Sequence, residues 1–367
     1  MPRKLVLVVV DAMHPEMLLR AIEGGGAPTF GALLERGRMV RDCVSSFPSV
    51  TPVACSEMMT GTGPGGHWVI GMNWFHRLER RYIEYGSSFE ATRTFGLFRA
   101  MYDLVYNMNL DHLSWEAETL FERLGDAGVR TATTPFLIYR GRRRHKLSLE
   151  GLVRMAAAAA NFRHAVWAPD EFFYGDLYAS RSTGCGPNFT RPGTRDEYSA
   201  CVTEELVHDG AYDFLLFSLP DNDFHSHRFG PDAQIDSIAK ADLSFARIVD
   251  AGGGLDAFLE RHAVVVTSDH AQTPVEHGLD LAEELGEDWR VLQPNSDRPE
   301  DAEIAVSPTS RAGAVYLLDT GARHAPTHER VRLRLREMDA VDLVAWLAGS
   351  DGAPLPRPGV GLPADGD

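Results

Sequence analysis

Three apolar segments of the chain each run into acidic or histidine side chains, the residue types that hold divalent metal ions. Residues 5–10 are followed by Asp11, and residues 262–268 are followed by Asp269 and His270. Residues 214–219 lead into a stretch with two aspartates and two histidines: Asp221, Asp223, His225 and His227. In a parallel sheet the carboxyl ends of the strands meet at one edge. The pattern therefore predicts one metal centre at that edge.

The spacing in the third segment leaves two ligand pairs open. Asp223 and His227 are four residues apart, and so are Asp221 and His225, so either pair shares one face of a helical turn. The adjacent pair after residues 262–268 points its side chains apart, toward two ions or two edges of one site. A single loop aspartate or surface histidine needs no metal, but three such segment ends in one chain favour the metal interpretation.

Thr51 supplies a hydroxyl where a helix is expected to begin. It precedes a helix-like run over residues 51–60 that ends before Gly61. A threonine at a helix start commonly serves as an N-cap, and the local sequence alone favours that role. The alternative role is chemical: a helix N-terminus and a bound cation both lower the pKa of a hydroxyl and favour its attack as an alkoxide.

Strand-like and helix-like segments alternate along the chain and would position these residues. Predicted strands cover residues 4–10, 130–134, 212–219 and 263–268, and predicted helices cover 16–22, 29–36, 51–60, 120–127 and 233–249. This alternation predicts an α/β fold with a largely parallel sheet.

Composition narrows the class of partner. The net charge of −16 argues against general nucleic-acid binding, which needs a basic surface. No apolar run approaches the roughly 20 residues that span a bilayer. The four cysteines lack Cys-x-x-Cys spacing, so we expect reduced thiols. The start of the chain resembles a core strand rather than a signal peptide, so we expect a cytoplasmic protein. A basic cluster over residues 140–146 is expected to be a solvated surface.

Four motifs in order carry a family resemblance: Val9-Val10-Asp11; Pro48-Ser49-Val50-Thr51 followed by Thr60-Gly61 and His67; Asp223 and His227 ahead of Gly230-Pro231; and Thr267-Ser268-Asp269-His270. Together they resemble the alkaline phosphatase superfamily, and most closely its type I phosphodiesterase and nucleotide pyrophosphatase branch. The resemblance implies a three-layer α/β sandwich with a largely parallel central sheet and inserted cap segments. It also implies two divalent ions, of which zinc is the first expectation and manganese or iron the alternatives.

The resemblance assigns roles position by position. It places one metal among four residues: Asp11, Thr51, Asp269 and His270. It assigns the other metal to Asp223 and His227, because the family's histidine lies just ahead of Gly-Pro, and it selects Thr51 over Ser46 as the nucleophile. Asn73 is the candidate for holding a phosphoryl oxygen, with Met72 as the alternative occupant of that position.

The sequence departs from the family pattern toward its C-terminus. Relatives complete the second metal site with a histidine well downstream of the Asp-His pair, and no such motif follows His270. His277 is the fallback ligand. We expect a single domain over residues 1–349, with cap insertions at about 73–115 and 136–199. Residues 350–367 read as a flexible Pro/Gly-rich tail, and we expect a truncated C-terminus.

The function implied by the resemblance is hydrolysis of a phosphodiester or pyrophosphate bond through a phosphothreonine intermediate. The substrate would be a small phosphorylated molecule such as a nucleotide. A phosphonate or phosphomonoester hydrolase of the same superfamily is the nearest alternative. A non-catalytic ligand-binding relative with an incomplete second metal site is the alternative of a different class. A sulfatase is disfavoured because neither Cys43 nor Cys55 has the required sequence context.

Overall fold

A computed structural model describes residues 3–149, 155, 157–175, 177–186, 194–318, 324–347 and 360–361. The chain divides into two compact units. The first comprises Met1–Ile70 and Leu104–Pro274, and the second comprises Gly71–Asp103 and Val275–Asp367. The predicted cap segment 73–115 is thus divided between the units, whereas the predicted cap segment 136–199 lies in the first. That either segment covers a site stays a prediction.

The strands, in chain order, are β1 (Lys4–Val10), β2 (Asn73–His76), β3 (Arg81–Glu84), β4 (Thr131–Thr133), β5 (Arg143–His145), β6 (Val166–Ala168), β7 (Glu171–Tyr174), β8 (Tyr178–Ala179), β9 (Phe214–Leu219), β10 (His262–Thr267), β11 (Ile304–Thr309), β12 (Ala312–Leu317), β13 (Trp346–Leu347) and β14 (Val360–Gly361). The α-helices are α1 (Pro15–Glu23), α2 (Pro28–Arg36), α3 (Thr51–Thr60), α4 (Pro64–His67), α5 (Phe89–Phe95), α6 (Leu97–Tyr102), α7 (Leu120–Asp126), α8 (Asp196–Asp209), α9 (Asp221–Phe229), α10 (Gln234–Ala251), α11 (Leu255–Arg261), α12 (Leu281–Gly286) and α13 (His324–Arg336). A π-helix covers Asp103–His112, and short 3₁₀ turns cover Pro231–Ala233 and Pro299–Asp301.

A six-stranded sheet forms the centre of the first unit, in the order β10-β1-β9-β4-β7-β8. The pairs from β10 through β7 are parallel, and β8 joins β7 as an antiparallel hairpin. All six residues of β9 are buried, as expected for a parallel strand covered on both faces. The α/β prediction with a largely parallel sheet is confirmed.

The register of the parallel strands explains why the candidate metal ligands lie at one edge of the sheet. Val9 pairs with Thr267 of β10, and Val10 pairs with Leu219 of β9. The residues that follow these three strands therefore emerge side by side at the carboxyl edge of the sheet. Helices α1, α2 and α10 pack their apolar faces on one side of the sheet, where Phe30 and Phe245 stack with ring centroids 5.6 Å apart.

The second unit is built on two antiparallel hairpins, β2–β3 and β11–β12. Its core gathers apolar side chains of β11, β12, α12 and α13 around Trp289 and Ile304. A further short antiparallel pair joins Trp346–Leu347 to Val360–Gly361. Of the predicted tail, 350–367, all but residues 360 and 361 lies outside the described residues. Within the described residues, no helix combines the length and apolar character needed to cross a membrane.

Two sequence-based expectations about side chains are wrong. Cys185 and Cys201 form a disulfide with Cα atoms 5.7 Å apart, whereas reduced thiols were expected throughout. Their separation of 16 residues carries no local motif, and only the fold brings α8 to Cys185. Arg140 was expected on a solvated surface but is only 1% exposed. Its neighbour Arg142 keeps 41% of its side chain exposed, as expected for that cluster.

Candidate metal centre

The turn after β1 carries Asp11 into the carboxyl edge of the sheet. Ala12, the next residue, is fully buried and has φ 56°, in the left-handed region that non-glycine residues rarely occupy. Side chains of other segments hold this turn: the carboxylate of Asp269 accepts from the Ala12 backbone N–H at 3.2 Å, and the Ser268 hydroxyl accepts from that of Met13 at 2.8 Å. The strained turn is therefore fixed by the end of β10.

Asp11, Asp223 and His270 converge on one point. One ligand atom from each of these residues lies within 4.8 Å of the other two. The Nε2 atom of His270 is 3.6 Å from Asp11 Oδ1 and 3.6 Å from Asp269 Oδ2. A third carboxylate, that of Asp269, is thus close to the same histidine. The arrangement gathers three carboxylates and an imidazole drawn from the ends of three strands.

Thr51 contacts this group through its hydroxyl. The Oγ1 atom of Thr51 is 3.0 Å from His270 Nε2. Helix α3 begins at Thr51, but its N-cap position is Val50, and no side chain caps it. The hydroxyl therefore does not perform the capping role that the local sequence favoured. It is held instead at the first turn of a helix, facing the acidic cluster.

Helix α9 carries both Asp–His pairs that the sequence spacing could not tell apart, and it places them in different surroundings. Asp223 faces the cluster and accepts a 2.6 Å hydrogen bond from the Gln272 side chain. Asp221 lies 3.0 Å from the guanidinium of Arg195, and His225 packs on Phe229 with ring centroids 4.7 Å apart. The geometry thus brings Asp223, not Asp221, to the centre.

His227 lies one turn of α9 beyond Asp223. Its Nε2 is 3.4 Å from Asp223 Oδ1, and its side chain is 69% exposed. The hydrogen bond to Asp223 is the main cause that raises the pKa of His227. His227 therefore stands at the outer side of Asp223, outside the tight group of three ligand atoms.

The electrostatics of the cluster fit a divalent cation. Burial, followed by the nearby charges of Asp269 and Asp223, raises the pKa of Asp11 well above its usual range. The Oδ1 atom of Asp11 is buried and accepts no hydrogen bond within the described part of the chain. The donor set, carboxylates with an imidazole, suits zinc, manganese or iron. A cation at this point would neutralise the crowded carboxylates and satisfy the orphaned oxygen.

Two predicted site residues belong to the second unit. Asn73 lies in β2 and donates its side-chain amide to the Pro308 carbonyl at 2.9 Å. His277 is exposed in the segment before α12. Their roles as a phosphoryl-binding amide and a metal ligand stay predictions.

Sequence analysis did not single out two buried amides beside the centre. Asn222 donates to the Asp11 carbonyl at 2.8 Å, and Gln234 donates to the Ala12 carbonyl at 2.9 Å. The position of Asn222, between two aspartates of the same turn, is the only local signal it carries. Gln234 reads in the sequence as an ordinary first-turn residue of a helix.

Solved structures that share this fold include a phosphonoacetate hydrolase and two ectonucleotide pyrophosphatase/phosphodiesterases. Phosphonoacetate hydrolase from Sinorhizobium meliloti 1021, solved in complex with phosphonoformate, matches with a TM-score of 0.56 at 18% identity, over 93% of this chain and 75% of that one. Human ectonucleotide pyrophosphatase/phosphodiesterase 5 matches with a TM-score of 0.58 at 14% identity, over 91% and 70% of the two chains. The mouse protein, solved as an inactive threonine-to-alanine variant in complex with AMP, matches with a TM-score of 0.54 at 14% identity, over 89% and 69%. At these identities the likeness shows a shared alkaline phosphatase-like fold.

The sequence itself carries the family signal. A search of curated proteins finds no significant match. The profile of the type I phosphodiesterase / nucleotide pyrophosphatase family, however, matches residues 5–341, which is most of the chain. The match spans the strand ends that build the cluster and extends well into the second unit. The chain therefore belongs to the type I phosphodiesterase / nucleotide pyrophosphatase family of hydrolases, within the alkaline phosphatase superfamily.

Proposed function

We propose that this protein is a metal-dependent hydrolase that cleaves a phosphodiester or pyrophosphate bond with Thr51 as the nucleophile. The observation that carries the proposal is the meeting of a helix-start hydroxyl with a cation-binding group: Thr51 Oγ1 lies 3.0 Å from His270, which itself lies 3.6 Å from Asp11. A nucleophile beside such a group is the arrangement that phosphoryl transfer requires.

We assign the cation ligands as the family resemblance implies. Asp11, Asp269 and His270 would hold one ion with Thr51, and Asp223 with His227 would hold a second, completed by His277. Zinc is the expected metal, with manganese or iron as alternatives. Bound divalent ions would supply charge neutralisation at the phosphoryl oxygens and a lower pKa for the Thr51 hydroxyl.

The chain's own contribution is positioning and covalent catalysis. Thr51 Oγ1 attacks phosphorus in line, an O–P bond forms, and the bond to the leaving oxygen breaks with the electron pair departing on that oxygen. Water then attacks the phosphothreonine, which releases the phosphoryl group and restores the hydroxyl. The positive end of the α3 dipole lies beside the nucleophile and favours the anionic phosphoryl oxygens. Asn73 would bind one of those oxygens.

The substrate class is a small phosphorylated molecule, and a nucleotide is one candidate. The neighbours support this range, since one was solved with phosphonoformate and another with AMP. The first favours a phosphonate as the second candidate substrate. Rates on bis-p-nitrophenyl phosphate, p-nitrophenyl phosphate and phosphonoacetate, compared at equal zinc, would rank diester, monoester and phosphonate hydrolysis.

Replacement of the hydroxyl tests the proposed nucleophile. Thr51→Ala should lower kcat on bis-p-nitrophenyl phosphate by at least about 10³-fold, since removal of a nucleophile is among the largest single losses in enzymes. Thr51→Ser keeps the hydroxyl and should lose no more than about 100-fold. Both variants should keep their folding temperature. Full turnover by Thr51→Ala would remove Thr51 from the mechanism.

The cytoplasmic location expected from the sequence stays a prediction, and the Cys185–Cys201 disulfide stands against it. Disulfides persist chiefly in oxidising compartments. Labelling of free thiols on the protein isolated without reductant decides between them: two reactive cysteines per unfolded chain indicate an oxidising location, and four indicate a reducing one.

A further inference from the structure

Side chains from other segments supply most of the hydrogen bonds that hold the backbone of the turn at Asp11. The Asp11 carbonyl accepts from Asn222, and the Ala12 carbonyl accepts from Gln234. The His14 backbone N–H donates back to Gln234 Oε1 at 3.0 Å. Because Ala12 holds a strained φ of 56°, the turn needs such bonds to persist.

Asn222 links this turn to the helix that carries Asp223. It is fully buried and immediately precedes Asp223 on α9. Its Nδ2 donates to the Asp11 carbonyl at 2.8 Å, while its Oδ1 accepts from the Ser237 hydroxyl at 2.7 Å. One side chain thus fixes the distance between the backbones of the two aspartates, and Ser237 fixes that side chain.

Gln234 makes a second link of the same kind. It is fully buried at the first position of α10. Its Nε2 donates to both the Ala12 carbonyl and the Ser226 hydroxyl, at 2.9 and 3.1 Å, and Ser226 lies on α9. The turn after β1, helix α9 and helix α10 are therefore joined by two neutral amides.

Neutral amides suit this task because the groups they align repel each other. The carboxylates of Asp11 and Asp223 lie within the 4.8 Å ligand group, so their mutual repulsion favours separation. A lysine or arginine brace would relieve the repulsion but would also compete with a cation for the same oxygens. An amide bonded to the backbone holds the geometry and leaves the carboxylates available.

We propose that Asn222 and Gln234 are positioning residues that hold Asp11 and Asp223 at cation-binding separation, and so set the affinity of the centre for its metal. The inference rests on the proposed function, since it concerns the same centre. It adds two residues outside the coordinating group that act only through the backbone and through Ser226 and Ser237.

Asn222→Asp and Gln234→Glu test the inference, because each removes the donor without changing side-chain size. Each also adds negative charge next to the centre, which by Coulomb attraction alone would tighten zinc binding. Loss of positioning predicts the opposite. We expect the zinc dissociation constant, measured by competition with a chromophoric chelator, to rise by at least 10-fold. At saturating zinc, kcat on bis-p-nitrophenyl phosphate should recover to within about 10-fold of the parent, with KM unchanged.

Asn109→Asp is the matched control. Asn109 is also a fully buried amide of the first unit that bonds backbone groups of a distant segment. Its Nδ2 donates to the Leu137 carbonyl at 2.8 Å, and its Oδ1 accepts from the backbone N–H groups of Tyr139 and Arg140. The same chemical change there should lower the folding temperature similarly and leave the zinc dissociation constant within 2-fold of the parent.

Ser237→Ala is the milder variant, should an amide replacement fail to fold. It removes only the hydroxyl that orients Asn222, and we expect the zinc dissociation constant to rise about 3-fold. The inference fails if the variants at residues 222, 234 and 237 bind zinc as tightly as the parent, or more tightly. The proposed function stands in that case, provided that the parent binds zinc and hydrolyses the diester. A parent that binds no zinc would overturn the proposed function and this inference together.

Discussion

The first unit buries two groups of charged side chains, and they differ in how their charge is balanced. One surrounds Arg140, between α7 and the loop before β5, and the other surrounds Asp11 at the edge of the sheet. Both lie in the same unit. The difference between them distinguishes a charge buried for stability from a charge buried for binding.

The Arg140 group is closed. The guanidinium donates to Glu122 at 3.1 Å and to three backbone carbonyls, those of Leu113, Ser114 and Ala117. Glu122 in turn accepts from Arg142 at 2.7 Å and from the Thr119 backbone N–H, completing a capping box at the start of α7. Every charged group there has an opposite charge or a set of dipoles facing it, so no external ligand is needed.

The Asp11 group is open. Asp11 Oδ1 accepts no hydrogen bond within the described part of the chain, and the nearby aspartates raise the pKa of Asp11 instead of lowering it. Asp196, at the start of α8, is a second buried aspartate whose Oδ2 is unbonded among the described residues. An uncompensated buried charge destabilises a fold unless a ligand balances it. The contrast therefore supports the cation site proposed at the sheet edge.

The largest change in the free energy of unfolding should come from removing the buried charge of the Arg140 group. Arg140→Met leaves Glu122 and three carbonyls without their partner, so we expect a loss of about 3–5 kcal/mol in the free energy of unfolding. Urea denaturation, monitored by circular dichroism, measures it. Arg142→Met is the control, since this half-exposed arginine should contribute under about 1 kcal/mol. A loss below about 1 kcal/mol for Arg140→Met would show that the two groups do not differ as described.

Binding of a metal ion to the Asp11 group should give the next largest change in the free energy of unfolding. Zinc at 100 times its dissociation constant should raise the free energy of unfolding by about 2.7 kcal/mol, because it binds the folded state. Differential scanning fluorimetry with and without zinc measures the change in melting temperature. The increment should persist in Arg142→Met and fall in Asp223→Asn, which loses a ligand of one of the two proposed ions. An equal increment in Asp223→Asn would place the zinc elsewhere.

A pH-dependent effect should come from Asp196. Burial, followed by the charge of Asp221, raises the pKa of Asp196 to about 8. The folded protein therefore keeps a proton that the unfolded chain releases above about pH 4, so stability falls as pH rises from about 4 to about 8, by at most about 1.4 kcal/mol per pH unit. Asp196→Asn, which can still accept the Asp221 backbone N–H, should make that decline shallower. Urea denaturation in chelator at pH 5, 6 and 8 measures the slope, and an unchanged slope in the variant would contradict the assignment.

The sequence predicts the open group better than the closed one. Asp11, Asp269 and His270 follow apolar strands directly, and in a parallel sheet strand ends share an edge, so local pattern and a topological rule together place them. Helix α3 occupies the residues that the sequence predicts, 51–60, and in the structure it ends at Gly61, which has φ 68°. The catalytic role of these residues is a separate matter, which the proposed experiments address.

Arg140 and the Cys185–Cys201 disulfide show what sequence patterns miss. Arg140 lies in a run of arginines that reads as a surface, and its burial depends on carbonyls of residues 113–117 that only the fold brings near it. The disulfide depends on α8 returning to Cys185. The amides Asn222 and Gln234 were missed for the same reason, since their partners lie 211 and 222 residues away. Such contacts between distant segments leave no periodic or motif signal.

The smallest effect should come from neutralising the open group by mutation. Asp11→Asn removes one of the crowded carboxylates, so in the presence of chelator it should leave the free energy of unfolding unchanged or raise it by up to about 1 kcal/mol. Urea denaturation in EDTA measures this, and the same titration with zinc should show a smaller stabilising increment than in the parent. The sign matters more than the size, because removal of a charge from the closed group destabilises the fold. A loss of 2 kcal/mol or more for Asp11→Asn in chelator, as an order-of-magnitude threshold for a buried group that is already satisfied, would mean that the protein itself balances the Asp11 carboxylate and that the sheet edge is not arranged for a cation.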